Sequence, residues 1–166
     1  MTRTSIILIF LIISICTACD LSDKKVRLKS DILLESKFEQ LTNVVRAKNT
    51  TLNFHLDSLT NFSWDTVIIL TPYYQIKQLE NKLNIDLTEI KKTQIVVDEV
   101  SNVLAFIKNG QLINYVDLPR NKGDFVNVTG SVNVISKKNC RFSLVQSNIK
   151  FESGQTIVKV ILRHID

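Results

Sequence analysis

The chain reads as an α+β domain, an antiparallel meander of about five to seven strands with two main helices packed on one face, preceded by a cleaved signal peptide. Three observations predict it. Leu34, Phe38, Leu41 and Val45 recur at helical spacing. Asn109 and Gly110 stand between two apolar runs, the strongest short hairpin signal. From residue 101 onward, short apolar runs alternate with turn residues.

Residues 1–18 do not belong to that domain. Arg3 gives a basic start, Ile6–Ile13 is an unbroken apolar run, and the small residues Thr17 and Ala18 precede Cys19. These are the three parts of a secretory signal. The apolar stretch from Ile6 to Ala18 has 13 residues, short of the roughly 20 a membrane-spanning helix needs. A buried first helix of a soluble protein would alternate faces, and this run does not. Cys16 follows the bulky Ile15, whereas Cys19 follows Ala18, so Cys19 is the better residue for cleavage and modification.

The segment resembles the lipobox of bacterial lipoproteins, with Cys16 standing where that family has leucine. The resemblance implies cleavage before Cys19 and a diacylglyceryl thioether plus an acyl amide on Cys19. Each buried methylene of such chains contributes about 0.8 kcal/mol to anchoring. Asp20 resembles the inner-membrane retention signal of enteric lipoproteins. Residues 19–30 are then a lipidated cysteine and polar tether, and residues 31–166 a single α+β domain. Lys24, Lys25, Arg27 and Lys29 would lie against anionic headgroups or form a solvated linker.

Within the domain, residues 31–47 form the first helix, with Ser30 or Asp31 as its cap. Leu52, Phe54 and Leu56 alternate with polar residues, as in a short strand. Val67–Leu70 reads as a buried strand. Thr71 and Pro72 suit a helix start, the proline at a position where its missing N–H costs nothing, and the helix runs to about Asn84. Val103–Ile107 and Leu112–Val116 make the hairpin. Further strands are expected at Phe125–Thr129, Ser131–Ile135, Phe142–Val145, Asn148–Phe151 and Thr156–Arg163.

Composition narrows the function classes. Loss of Arg3 leaves 20 basic and 16 acidic residues, a mild excess with no basic stripe. Export and that scatter disfavour nucleic acid as a partner. Cys140 is the one cysteine left after cleavage and lipidation, so no intramolecular disulfide is available and the core must hold the fold. Two histidines, His55 and His164, with no paired ligand spacing give no metal site, and four glycines give no phosphate-cradling loop. No cofactor is expected. Cys140, flanked by basic residues, reads as a strand-end structural thiol or as a nucleophile. Three Asn-x-Ser/Thr triplets, at Asn49, Asn61 and Asn127, would matter only in a eukaryotic secretory pathway.

Trp64 with Asp65, and Tyr73 with Tyr74, bracket one strand. They offer a partner-binding surface of large amphipathic contact area, or else pack a core and a helix start. Asp117, Arg120 and Asp124 fall in one loop, as a surface ion-pair set or a polar recognition loop. Trp64-Asp65-x-Val67 running into Pro72-Tyr73, with Leu118-Pro119-Arg120 and Asp124-Phe125, resembles a group of small uncharacterised bacterial lipoproteins over residues 62–126. The resemblance implies an envelope lipoprotein domain and supplies no catalytic residue.

The expected function is therefore a membrane-anchored, non-enzymatic envelope lipoprotein that binds a protein partner, through Trp64, Asp65, Tyr73 and Tyr74. Two alternatives stand beside it: a small envelope hydrolase using His55 or Cys140, and a small-ligand-binding lipoprotein.

Overall fold

The computed structural model describes residues 28–97, 99–125, 133–150 and 153–165. The signal segment, Cys19 and most of the tether lie outside them. So do residues 126–132, which take in most of the strand expected at 125–129 and the start of that at 131–135.

Helix α1 spans Ile32–Lys48. Asp31 caps it, its Oδ1 accepting from the Leu34 N–H at 2.9 Å, which satisfies one orphan donor of the first turn. Leu34, Phe38 and Val45 are buried on one stripe. The helix stops at Asn49, which adopts φ 46° and returns its N–H to the Val45 carbonyl.

Seven strands follow among the described residues: β1 (Leu52–His55), β2 (Thr66–Leu70), β3 (Ser101–Lys108), β4 (Gln111–Pro119), β5 (Asn133–Ser136), β6 (Arg141–Lys150) and β7 (Thr156–Ile165). They make two antiparallel sheets rather than one meander. One has the order β1-β6-β7 and the other β4-β3-β2-β5. The single-sheet expectation fails because β2 does not pair with its sequence neighbour β1. It inserts between β3 and β5, with Val67 opposite both Phe106 and Ile135.

The residue pattern explains that position. β2 and β3 are buried along almost their whole length, and a strand that is apolar on both faces needs cover on both. One face of the four-stranded sheet carries Val67, Ile69, Leu104, Phe106 and Val116. It packs against α1 and against Phe142, Leu144, Val160 and Leu162 of the three-stranded sheet. The opposite face carries Ile68, Leu70, Val103 and Ala105 and is covered by Ile76 and Leu79 of helix α2 (Ile76–Leu83) and Ile90 of helix α3 (Thr88–Lys91). The two main helices thus lie on opposite faces of this sheet, not on one face as the pattern of each helix alone suggested.

The hairpin is as expected. Lys108 pairs with Gln111, and Asn109 and Gly110 both have positive φ, 50° and 73°, the type I′ geometry that matches strand twist. The second helix differs. Thr71 and Pro72 do not open it, because Tyr73 takes the left-handed φ of 64° and α2 begins only at Ile76. Residues 28–30 are seated on the domain. Leu28 packs against the second cluster, and the Ser30 hydroxyl accepts from the Asp117 N–H at 2.9 Å. No helix among the described residues is long and apolar enough to cross a membrane.

Candidate functional site

The four residues singled out around β2 do not form one patch. Trp64 is 1% exposed. Its indole N–H donates to Thr60 Oγ1 at 3.0 Å and its ring meets Phe106 edge-on at 5.3 Å. It is a core residue with its polar handle satisfied. Asp65 is exposed and braces the hairpin, Oδ2 accepting from the Asn109 N–H at 2.8 Å. Tyr74 is half-buried against the second cluster. Only Tyr73, at the other end of β2, is an exposed aromatic, at 57%.

Tyr73 leads to the site that the sequence motifs jointly build. Its N–H donates to the Ile95 carbonyl at 2.7 Å and its hydroxyl donates to Glu99 Oε1 at 2.7 Å. A left-handed tyrosine costs on the order of 1–3 kcal/mol, and these two bonds hold it there. A cleft of about 310 Å3 opens beside it, lined by Thr71, Tyr73, Glu99, Asn102, Arg120 and Asp124 among others. Pro72-Tyr73 meets Arg120 and Asp124-Phe125 here, although the two stretches are far apart in sequence.

Asp124 organises one wall. It is 2% exposed, so the surface ion-pair expectation is corrected: this carboxylate is buried. Arg120 donates to it twice, Nε to Oδ1 and Nη2 to Oδ2, each at 2.9 Å. Lys159 Nζ stands 3.5 Å from Oδ2. The hydrogen bond to Asp124 is the main cause that raises the Arg120 pKa above its ordinary value. Arg120 Nη1 also donates to the Glu99 carbonyl at 3.1 Å. The Asp117 N–H donates to the Ser30 hydroxyl at 2.9 Å.

The other wall holds the anomaly. Asn102 lies on β3 opposite Leu118, and period-two alternation puts it on the face of Leu104 and Phe106. It is fully buried, yet among the described residues neither Nδ2 nor Oδ1 has a hydrogen-bond partner. An unmet buried amide costs about 1–3 kcal/mol. Volume does not single this cleft out. A hollow of about 340 Å3 is lined by Lys138, Asn139, Arg141, His164 and Ile165. There, however, the His164 ring already bonds to the Asn139 carbonyl at 2.7 Å. The Asn102 signal was not read from the sequence. Its mark in the sequence is that Ser101 and Asn102 are polar residues directly before the apolar run Val103–Ile107.

His55 and Cys140 are brought together, His55 Nδ1 3.5 Å from Cys140 Sγ. The thiol is fully buried and donates to the Lys137 carbonyl at 2.7 Å. Burial pushes the Cys140 pKa up despite nearby backbone N–H groups, the opposite of what a nucleophilic thiol needs. No carboxylate bonds to the His55 ring among the described residues. No cluster of three or more metal-ligating side chains occurs among them either.

Comparison with protein-family models, with curated proteins and with solved structures gave no match.

Proposed function

We propose that this protein is a lipid-anchored envelope lipoprotein whose domain is a binding module, non-enzymatic, with the Tyr73–Asn102–Arg120–Asp124 cleft as its recognition site. Cys19 carries the lipid, and the membrane raises the local concentration of partners that share it. The partner is an envelope protein; nucleic acid has no place in this reading. One observation carries the assignment of the cleft: a fully buried asparagine with both amide groups unmet, in the wall of a hollow bounded by an exposed, strained tyrosine. Buried polar groups without partners concentrate where a ligand supplies the missing bonds, and strained backbone concentrates at functional positions. The hydrolase alternative finds less support, since the Cys140 thiol is buried, protonated by preference and already bonded.

The test is crosslinking in intact cells with a C-terminally tagged full chain, followed by mass spectrometry. One dominant envelope protein, lost in Tyr73→Ala or Asn102→Leu and retained in Tyr74→Ala, is the expected result. Retention of that protein in both cleft variants rejects the cleft as the recognition site. Anchoring is tested separately by Cys19→Ala, which should remain unprocessed or leave the membrane fraction.

A further inference from the structure

The cleft has unspent hydrogen-bond groups of a definite kind. A guanidinium has five N–H donors. Arg120 uses three, two on Asp124 and one on the Glu99 carbonyl, which leaves two, on a side chain still 31% exposed. Asn102 offers an amide donor and an amide acceptor side by side. Both Asp124 oxygens are taken, and Glu99 Oε1 is held by the Tyr73 hydroxyl. The open valences are therefore two donors at Arg120 and a donor–acceptor pair at Asn102, with the Glu99 carboxylate beside them in the lining.

We infer that the occupant is the C-terminal end of a polypeptide: an α-carboxylate taken by the spare N–H groups of Arg120, and the N–H and C=O of the residue before it paired with Asn102. This deepens the proposed function and rests on it. An extended residue turns its N–H and C=O to the same side, which is the pattern a side-chain amide can answer with two bonds. A volume near 310 Å3 lies at the lower end of small-ligand sites and suits two or three residues. Arg120 and Lys159 balance Asp124 and Glu99 in formal charge, so directed bonds, not net charge, give the affinity. The buried Asn102 is reached only when lining side chains part, and the Tyr73 ring is exposed at the rim.

The experiment is titration of the full chain in detergent with N-acetyl-Ala-Ala-Ala, followed by NMR or calorimetry. Saturable binding is expected, with changes at Tyr73 and Asn102. C-terminal amidation of the peptide should weaken it at least roughly tenfold, because a charge-assisted bond is lost. Asn102→Leu should weaken it by a similar factor while remaining folded. Affinity unchanged by amidation, or unchanged by Asn102→Leu, overturns the inference. If no peptide acid binds while the cleft variants still lose the crosslinked partner in cells, the ligand class is wrong and the cleft stands.

Discussion

Arg120 grips Asp124 through two parallel hydrogen bonds of 2.9 Å each, and Asp124 in turn ties the loop after β4 to the edge of β7. Its N–H donates to the Val160 carbonyl at 3.0 Å and its carbonyl accepts from the Leu162 N–H at 2.8 Å. One residue thus joins the two sheets by its backbone and holds the cleft wall by its side chain.

That arrangement makes the pair asymmetric to mutation. Arg120→Leu strands a carboxylate that is 2% exposed, with only Lys159 left at 3.5 Å. Asp124→Leu strands a guanidinium that is 31% exposed and can still reach water. Urea unfolding should show Arg120→Leu losing about 3 kcal/mol or more, and Asp124→Leu clearly less. Equal losses would mean that the backbone bridge, not the ion pair, carries the stability.

Asn102→Leu should raise stability. The change replaces two unmet polar groups by two methyls on the same branched skeleton, beside apolar Leu118 across the strand pair and Phe125 in the same cleft wall. A gain of about 1–3 kcal/mol is expected from the unpaired-group cost, read as a higher urea midpoint at unchanged slope. A loss would show that the Asn102 amide is satisfied in solution.

Gly123→Ala should destabilise. Gly123 has φ 144°, and a Cβ there would stand 2.7 Å from Leu162 Cδ1. The glycine lets the loop approach β7 closely enough for the Asp124 bridge to form. A loss of about 1–3 kcal/mol is expected from backbone strain together with crowding, measured by thermal or urea unfolding. Gly110→Ala, with open space around it, isolates the strain part alone.

Cys140 should make stability fall in alkali. Its folded pKa is raised by burial, whereas a thiol in the unfolded chain titrates near about 8.5. Between these values the unfolded state has lost the proton that the folded state keeps, so stability decreases as pH rises. The contribution is fully present below about pH 8.5 and is lost as pH climbs through the folded value. Cys140→Ala should flatten this slope relative to the parent, in urea unfolding at pH 7 to 10. An unchanged slope would place the alkaline loss in other groups.

Local structure was largely legible from the residues. The α1 stripe and its Asp31 cap, the Asn109–Gly110 turn and the buried character of β2 all follow from spacing and side-chain type, because each is decided within a few residues. What depends on distant segments was not. β2 leaves its neighbour β1 for β3 and β5 because those strands cover both of its apolar faces, a choice made by the whole domain. Tyr73 overrode the proline signal at a helix start because Ile95 and Glu99, more than twenty residues away, hold it in a left-handed conformation. The cleft was half visible. Its motifs were noticed as separate fragments, but the unmet amide of Asn102 exists only once β3 is buried.

Leu52 of β1 lies opposite Leu144 of β6, about 90 residues further along the chain, and pairings of such span slow folding. A chain made from its N-terminus forward therefore carries β1 unpaired and Phe54 without Phe142 until its final hairpin has emerged. During that interval the exposed segments are candidates for chaperones and for association with other copies. Truncations near the C-terminus would cost more than one strand, because they leave β1 unpaired and α1 covered only on the side of the four-stranded sheet.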